Sequence, residues 1–199
     1  MKDSLALAYV TCDKYSHVWE EWIKAYRTYW GVDIPEYFCG EELVCPFDGF
    51  EHLPHKSVPA SGWTAKLRSQ VEQINAEYIF VWLDDMIPLM DISIPFVRLF
   101  NWAYDHKVDA MRIMARRSAS TYMQVGHLSN NPIYKLTHKS RYLVSFSPNI
   151  YKKEFLLDVL QWDESPWDCE LIGSRRIVKW LPEVYAHHID GWVNNSITQ

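Results

Sequence analysis

Two adjacent aspartates, Asp84 and Asp85, directly follow six apolar residues, 78–83, and Pro88 comes soon after them. An apolar run of this length between turn signals predicts a strand buried on both faces, with the aspartates at its carboxyl end. Ligands of open α/β sheets bind at that edge. Two carboxylates about 4 Å apart repel each other by about 4 kcal/mol in a partly dry site, whereas Mg²⁺ or Mn²⁺ attracts both. The pair therefore predicts either a cation site or a cap for a turn or for the next helix.

A phosphate site is the second chemistry that the residue types suggest. A helix is predicted to open at Gly62, Trp63 and Thr64, with Ser61 as its cap and Lys66 in its first turns. Free backbone amides at a helix start and a nearby lysine favour phosphate binding. A solvated helix face is the alternative interpretation of Lys66.

The composition narrows the classes of function. The chain has 199 residues, a net charge of −5, ten tryptophans and twelve tyrosines. The negative charge argues against general binding to nucleic acid, and the aromatic residues predict either an aromatic core or surfaces for rings, sugars or partners. The sequence shows no zinc spacing, no signal-peptide pattern and no apolar stretch of ~20 residues. We therefore expect a cytoplasmic protein without a transmembrane segment, whose cysteines are reduced.

The first half of the chain alternates predicted strands and helices, which is typical of parallel α/β sheets. The first strand, Leu5–Val10, ends in polar residues, and the helix after it is predicted to have Ser16 as its cap and to end at Gly31. Its apolar face comprises Trp19, Trp22, Ile23, Tyr26 and Trp30. The next predictions are a strand at Ile34–Cys39, a loop over 40–61 with a short strand at Leu43–Cys45, a helix with Leu67, Val71 and Ile74 inside, and the strand Tyr78–Leu83.

The second half is predicted to add helices and strands to the same sheet, so that residues 1–199 form one domain. The predicted elements are a helix marked by Ile94, Val97, Phe100 and Tyr104 that ends near His106, a strand at Asp109–Met114, a hairpin of Thr121–Val125 and Ile133–Thr137, a strand at Tyr142–Phe146, a helix at Tyr151–Leu160, a helix from Pro166 and a strand at Glu183–His187.

Four stretches, in this order, resemble small bacterial and phage glycosyltransferases of the GT-A fold. The resemblance implies an α/β, Rossmann-like fold with a mostly parallel sheet and flanking helices. It also implies a nucleotide-diphospho-sugar donor, with UDP favoured, and a divalent cation, Mn²⁺ or Mg²⁺, that bridges the two phosphates. The four stretches are residues 11–15 (TCDKY), Gly62-Trp63, Leu83-Asp84-Asp85, and residues 167–175 (WDCELIGSR).

The resemblance also implies roles for individual residues. Thr11, Cys12, Asp13 and Tyr15 would border the nucleobase, and Trp63 and Lys66 would approach the ribose and the diphosphate. The family's Asp-x-Asp motif has Leu83 at its first position here, so Asp84 becomes the candidate for the ribose contact. Asp85 keeps the last position, which holds the metal, and His187 or His188 could complete the metal shell.

The resemblance further implies groups that act on the leaving diphosphate and on the acceptor. Positive charge near the diphosphate lowers the barrier, and the candidates are Lys66, Arg112, Arg116, Arg117, Arg175 and Arg176. An inverting enzyme also needs a carboxylate to take the proton of the acceptor hydroxyl, and Asp168 or Glu170 could do so. In a retaining enzyme they would assist from the other side of the sugar. Alternatively, they only stabilise a helix start, by about 0.3–1 kcal/mol.

Two other functions remain open at this stage. A nucleotidyltransferase that makes sugar nucleotides would normally carry a glycine-rich basic loop after its first strand, whereas residues 11–14 contain no glycine. A non-catalytic module that binds nucleotide sugars is the third hypothesis. The acceptor, usually a carbohydrate or another hydroxyl compound, is not encoded in any motif.

Overall fold

A computed structural model describes residues 4–55, 62–114, 122–129, 131–161, 163–189 and 192–195. The predicted helix cap Ser61, the candidate arginines Arg116 and Arg117, and Thr121 at the start of the predicted hairpin lie outside these residues. The strands are β1 (Leu5–Val10), β2 (Glu36–Cys39), β3 (Glu51–His52), β4 (Tyr78–Leu83), β5 (Met86–Pro88), β6 (Ala110–Arg112), β7 (Tyr122–Leu128), β8 (Asn131–Leu136), β9 (Asn149–Lys152), β10 (Val184–His187) and β11 (Val193–Asn195).

The helices lie between these strands. They are α1 (Trp19–Tyr29), α2 (Trp63–Val71), α3 (Ser93–Asp105), α4 (Lys153–Val159), α5 (Pro166–Asp168) and α6 (Ser174–Ile177), with 3₁₀ turns at Asp13–Val18 and Val178–Trp180. A π-helical turn, Cys169–Gly173, joins α5 to α6 without a break. We call the continuous stretch 166–177 the late helix.

Nine of the strands form one mixed sheet in the order β3-β2-β1-β4-β9-β6-β10-β8-β7. The first four of these strands are parallel to one another, so β1, β2 and β4 end at the same edge. β9 runs antiparallel between β4 and β6, and β10 is parallel to β6. β5 and β11 pair as a separate antiparallel ribbon. The predicted α/β fold with flanking helices is confirmed, and the β1–α1–β2 unit is parallel as predicted.

Two apolar layers cover the two faces of the sheet because successive residues of a strand point to opposite faces. On β1, Leu5, Leu7 and Tyr9 join a layer that includes α1 and α3. Ala6, Ala8 and Val10 join the opposite layer, formed with α2, α4 and the late helix. The α1 layer holds most of the aromatic residues, including fully buried Trp22, Trp82 and Trp192. The aromatic-core interpretation is therefore correct for these tryptophans.

Several predicted elements were misplaced in the first half. Residues 43–45 form no strand, and the short third strand lies instead at Glu51–His52. Ser16 caps no helix: it lies inside a 3₁₀ turn, and α1 begins after Val18 without a side-chain cap. The end of α1 was predicted correctly: Tyr29 is its last residue and Trp30 its C-cap, so Gly31 directly follows the helix.

The helix predicted from Ile94, Val97, Phe100 and Tyr104 is α3, which ends at Asp105 with His106 as its C-cap, as predicted. Only some of these four residues face the core: Phe100 is buried, whereas Ile94 is 69% exposed and Tyr104 is 42% exposed. The buried residues are Phe96, Leu99, Phe100 and Ala103. Apolar residues occur on two overlapping faces of this helix, and the contact with the sheet decides which face is buried.

The predicted strand at Tyr142–Phe146 is a loop, because side chains take up its amides. Ser174 Oγ accepts hydrogen bonds from the amides of Leu143 and Val144, at 2.8 and 2.9 Å. The amide of Phe146 donates to Glu170 Oε1 at 2.6 Å. The strand lies instead at Asn149–Lys152, where the sequence predicted the start of a helix. The late helix thus holds this loop against the sheet.

Candidate functional site

The two aspartates lie where the sequence placed them, directly after β4 at the edge where β1 also ends. Asp84 is 6% exposed, and its Oδ2 accepts a hydrogen bond from Thr11 Oγ1 at 2.5 Å. Trp19 Nε1 donates to the same Thr11 oxygen at 2.7 Å. Burial raises the pKa of Asp84 to about 6, and the charge of Asp85 adds to this rise. Asp84 therefore joins the ends of β1 and β4, and its predicted ribose contact would need the small exposed part of its side chain.

Asp84→Asn should change how stability depends on pH. In the metal-free protein the folded state binds the Asp84 proton more tightly than the unfolded chain does. This stabilisation is fully present below about pH 4 and is lost as the pH rises through about 6. Asparagine does not ionise, so the variant should gain about 2–3 kcal/mol relative to wild type between about pH 4 and pH 8. Urea unfolding of both proteins without divalent cations measures this, and an equal difference at both pH values would contradict it.

Asp85 is the more accessible of the two carboxylates. It is partly exposed, although its Oδ1 is shielded from solvent. Within the described part of the chain, no group of three or more His, Cys, Asp or Glu side chains is arranged to hold a metal. Mg²⁺ is often held by one or two carboxylates together with substrate phosphates, and such a site needs no preformed cage. The residues at this edge therefore fit a cation that arrives with a phosphate ligand.

Asp13, Glu41 and Lys66 form a charged network beside the aspartates. Asp13 accepts hydrogen bonds from the amides of Glu42 and Leu43, at 3.3 and 3.2 Å, and so shapes the loop after β2. Lys66 Nζ lies 2.7 Å from Glu41 Oε1, and both side chains are 31% exposed. Because such half-exposed pairs are weak, about 0–1 kcal/mol, an incoming anion could compete with Glu41 for Lys66. Sequence reasoning missed Glu41, although its position just after a parallel strand was a usable signal.

Cys12 and Tyr15 form a turn at the same edge. The Cys12 carbonyl accepts a hydrogen bond from the Tyr15 amide at 2.9 Å. Burial raises the pKa of the Cys12 thiol, and the charge of Asp84 raises it further. Tyr15 packs partly against the α1 layer. The predicted residues Thr11, Cys12 and Asp13 are therefore close to Asp84 and to the Lys66 network.

The start of α2 is fastened to the segment that precedes the late helix. Glu164 accepts a hydrogen bond from the Thr64 amide at 3.2 Å, and its own amide donates to Thr64 Oγ1 at 2.8 Å. The Glu164 carboxylate also pairs with Arg176, at 2.8 and 3.0 Å. Trp63 lies edge-to-face against Phe146, with ring centroids 4.6 Å apart. These contacts bring Trp63 and the late helix to one side of the site.

Gly62→Ala should loosen this connection. A Cβ at Gly62 would lie 2.7 Å from the backbone nitrogen and 2.9 Å from the carbonyl oxygen of Glu164. Because backbone atoms must move to make room, we expect a loss of about 1–3 kcal/mol in the free energy of unfolding. Gly126→Ala is the matched control, since a Cβ there meets nothing within 4 Å. Equal stability of the two variants in urea would contradict the prediction.

The two acidic residues of the late helix have different environments. Asp168 is exposed and bonded within its own turn: its Oδ2 accepts from Ser165 Oγ at 2.7 Å, and its amide donates to Ser165 Oγ at 3.2 Å. Glu170 is partly exposed and contacts Phe146, whose ring in turn meets Trp63. Ser165 is the N-cap of α5, and Asp168 lies in the first turn, which agrees with the alternative that it stabilises a helix start. Glu170 faces the side of the site where α2 begins.

Comparison with known proteins identifies the fold. No family model and no curated protein sequence matches the chain. Among solved structures, the chain is similar to S. aureus TarS in complex with UDP-GlcNAc, with a TM-score of 0.59 and 8% identity, over 98% of this chain and 61% of that one. Another, longer structure of S. aureus TarS matches with a TM-score of 0.61 and 10% identity, over 98% of this chain and 37% of that one. The fold is GT-A-like.

The chain is also similar to a structure of a different protein. The structure of UDP-glucose pyrophosphorylase with UDP-glucose matches with a TM-score of 0.52 and 10% identity, over 97% of this chain and 93% of that one. The chain spans about 60% of the TarS 1–349 structures and 37% of the longer TarS structure. At these identities the likeness concerns the fold.

The predicted histidines lie farther along the GT-A-like sheet. Two strands, β9 and β6, separate β4 from β10, so the axes of β4 and β10 are about 14 Å apart. His187 is 2% exposed, and burial lowers its pKa. His188 follows β10, as the sequence predicted. The described residues show neither histidine in one ligand group with Asp85, and their role in a metal site remains a prediction.

The arginine candidates also have defined positions. Arg112 is 4% exposed and donates a hydrogen bond to the carbonyl of Tyr142, and burial lowers its pKa. Arg176 holds Glu164, and Arg175 is exposed on the late helix. Arg112 and Arg176 therefore support the loop over 142–146 and the late helix, whereas Lys66 is paired with Glu41 at the loop after β2. No helix among the described residues is long and apolar enough to span a membrane.

Proposed function

We propose that this chain is a glycosyltransferase that moves a sugar, of the hexosyl type, from a UDP-sugar to an acceptor hydroxyl with the help of Mn²⁺ or Mg²⁺. The observation that carries the proposal is the position of Asp84 and Asp85 at the common edge of β1 and β4. It occurs in a fold shared over 98% of the chain with TarS bound to UDP-GlcNAc. Ligands bind at this edge in open α/β sheets.

Asp85, Lys66, Thr11 and Asp84 have different parts in this reaction. Asp85 would hold the cation, and a bound cation supplies positive charge that offsets the charge on the leaving diphosphate. Lys66, released from Glu41, contacts the same diphosphate. Thr11 and Asp84 keep the ends of β1 and β4 together beneath the nucleotide.

In the inverting form of the reaction, Glu170 takes the proton of the acceptor hydroxyl. The acceptor oxygen forms a bond to the anomeric carbon, and the bond from that carbon to the diphosphate oxygen breaks. The electron pair of the broken bond leaves with UDP, while the hydroxyl proton passes to the Glu170 carboxylate. We favour Glu170 over Asp168 because the Phe146 that Glu170 contacts packs against Trp63 at the start of α2, whereas Asp168 bonds to Ser165 in its own turn.

A nucleotidyltransferase is the second candidate, supported by the coverage of UDP-glucose pyrophosphorylase. That reaction brings a triphosphate to the end of the first strand. Residues 11–14 offer no glycine there, and Asp13 commits its carboxylate to the loop after β2. The geometry therefore favours transfer from a finished sugar nucleotide.

Product analysis separates the two functions. With Mn²⁺ and UDP-GlcNAc or UDP-glucose, we expect release of UDP, which rises when an acceptor is added. With UTP and glucose 1-phosphate, we expect no pyrophosphate. Pyrophosphate release without any UDP release would overturn the proposal. Binding of UDP-sugars without turnover of any donor would indicate a non-catalytic module instead.

A further inference from the structure

Trp167 is the most exposed Trp, Tyr or Phe among the described residues, with 72% of its surface accessible. Its indole makes no ring contact within the described part of the chain. Most tryptophans of the α1 layer are buried, so this one stands apart. Exposed aromatic side chains are favoured where a protein meets a ligand that is apolar on one side and wet on the other.

The backbone around Trp167 is held on both sides. Before it, Glu164 is bonded to Thr64 and to Arg176. After it, the Asp168 amide and carboxylate both bond to Ser165. Because the backbone is already ordered, stacking of a ligand on this indole costs little conformational entropy, which favours binding.

The position of Trp167 relates it to the proposed transfer step. Trp167 and Glu170 are three residues apart in the late helix, so they are neighbours on one helix face. Glu170 contacts Phe146, and Phe146 contacts Trp63 at the start of α2. A ring stacked on Trp167 would thus hold a hydroxyl near the Glu170 carboxylate.

The acidic side chains around the Trp167 indole favour a ligand without negative charge. Asp163 and Asp168 are exposed beside it, and Glu164 and Glu170 are partly exposed. Arg176 is paired with Glu164. An anionic ligand would meet repulsion here, whereas carboxylates accept hydrogen bonds from sugar hydroxyls.

We propose that Trp167 is the stacking platform of an acceptor subsite for a neutral carbohydrate, whose pyranose face lies on the indole while a hydroxyl points to Glu170. This inference rests on the proposed transferase function and names its acceptor class. The subsite is separate from the UDP site, so the two can be tested independently.

The test titrates the protein, in the presence of UDP and Mn²⁺, with uncharged cellotetraose and chitotetraose, and separately with anionic tetragalacturonate, followed by saturation-transfer NMR. We expect at least one neutral tetrasaccharide to bind more tightly than tetragalacturonate. Trp167→Ala should weaken that binding by about tenfold, and Trp167→Phe should weaken it less. Trp180→Ala is the matched control, because Trp180 is 37% exposed just beyond the late helix and should bind like wild type.

Three results would overturn the subsite: no binding of either neutral tetrasaccharide, stronger binding of tetragalacturonate, or equal binding by Trp167→Ala and Trp180→Ala. UDP titrations of the same proteins keep the two claims apart. UDP binding without tetrasaccharide binding would contradict the acceptor subsite and leave the proposed UDP-sugar donor standing. Tetrasaccharide binding that depends on Trp167 without UDP binding would instead sink the proposed donor.

Discussion

Replacing Asp85 with alanine is expected to lower sugar transfer from a UDP-sugar by about 10²–10³-fold and to abolish the effect of Mn²⁺ on UDP affinity. The reason is that Asp85 is the partly exposed carboxylate at the end of β4, whereas Asp84 is engaged by Thr11. Without Asp85, charge that develops on the diphosphate has no cation held beside it. Steady-state kinetics and calorimetric titration of UDP with and without Mn²⁺ measure both effects.

The control for this variant is Asp105→Asn, which changes an exposed aspartate at the end of α3. It should keep wild-type turnover and wild-type dependence on Mn²⁺. If Asp85→Ala and Asp105→Asn behaved alike in both assays, Asp85 would have no part in holding a cation.

Glu170→Gln is expected to lower turnover by about 10²–10⁴-fold while UDP binding stays unchanged. Glutamine keeps an oxygen that can accept the hydrogen bond from the Phe146 amide, so the loop over 142–146 should remain in place. Glutamine cannot take up a proton, so the loss should fall on kcat and not on donor affinity. Stopped assays for UDP release, with UDP titrations of the same variant, give the two quantities.

Two further variants show whether the effect belongs to Glu170. Asp168→Asn should lower turnover by less than about tenfold, because the Asp168 carboxylate is bonded to Ser165. Glu21→Gln, at an exposed position of α1, should have no effect. Full activity of Glu170→Gln, or a larger loss of turnover in Asp168→Asn, would show that another carboxylate is the general base.

The strands that position the proposed nucleotide-sugar site were predictable because a continuous local run of apolar residues indicates their burial. β1 and β4 are continuous apolar runs that end in polar residues, and both were found at the predicted positions. The pairing of Thr11 with Asp84 follows from two parallel strands that end together. The fold class and the edge that carries the aspartates could therefore be derived without coordinates.

The remaining parts depend on contacts between distant residues. The apolar run at 142–146 resembles a strand, yet its amides bond to Glu170 and Ser174, more than twenty residues away in the chain. Glu41 matters only because Lys66 and Asp13 reach it in the folded protein. Gly62 opens α2 as predicted, but the reason for a glycine there is the closely packed backbone of Glu164, which leaves no room for a Cβ atom. No local pattern carries such information.

The most direct test of the central claim is a crystal of the protein grown with UDP and Mn²⁺, with the metal located by its anomalous scattering. The account predicts an anomalous peak at coordination distance from the Asp85 carboxylate, with both phosphates of UDP on its other side and the uracil near residues 11–13. A metal and nucleotide bound elsewhere, or an Asp85 carboxylate turned away from both, would contradict it.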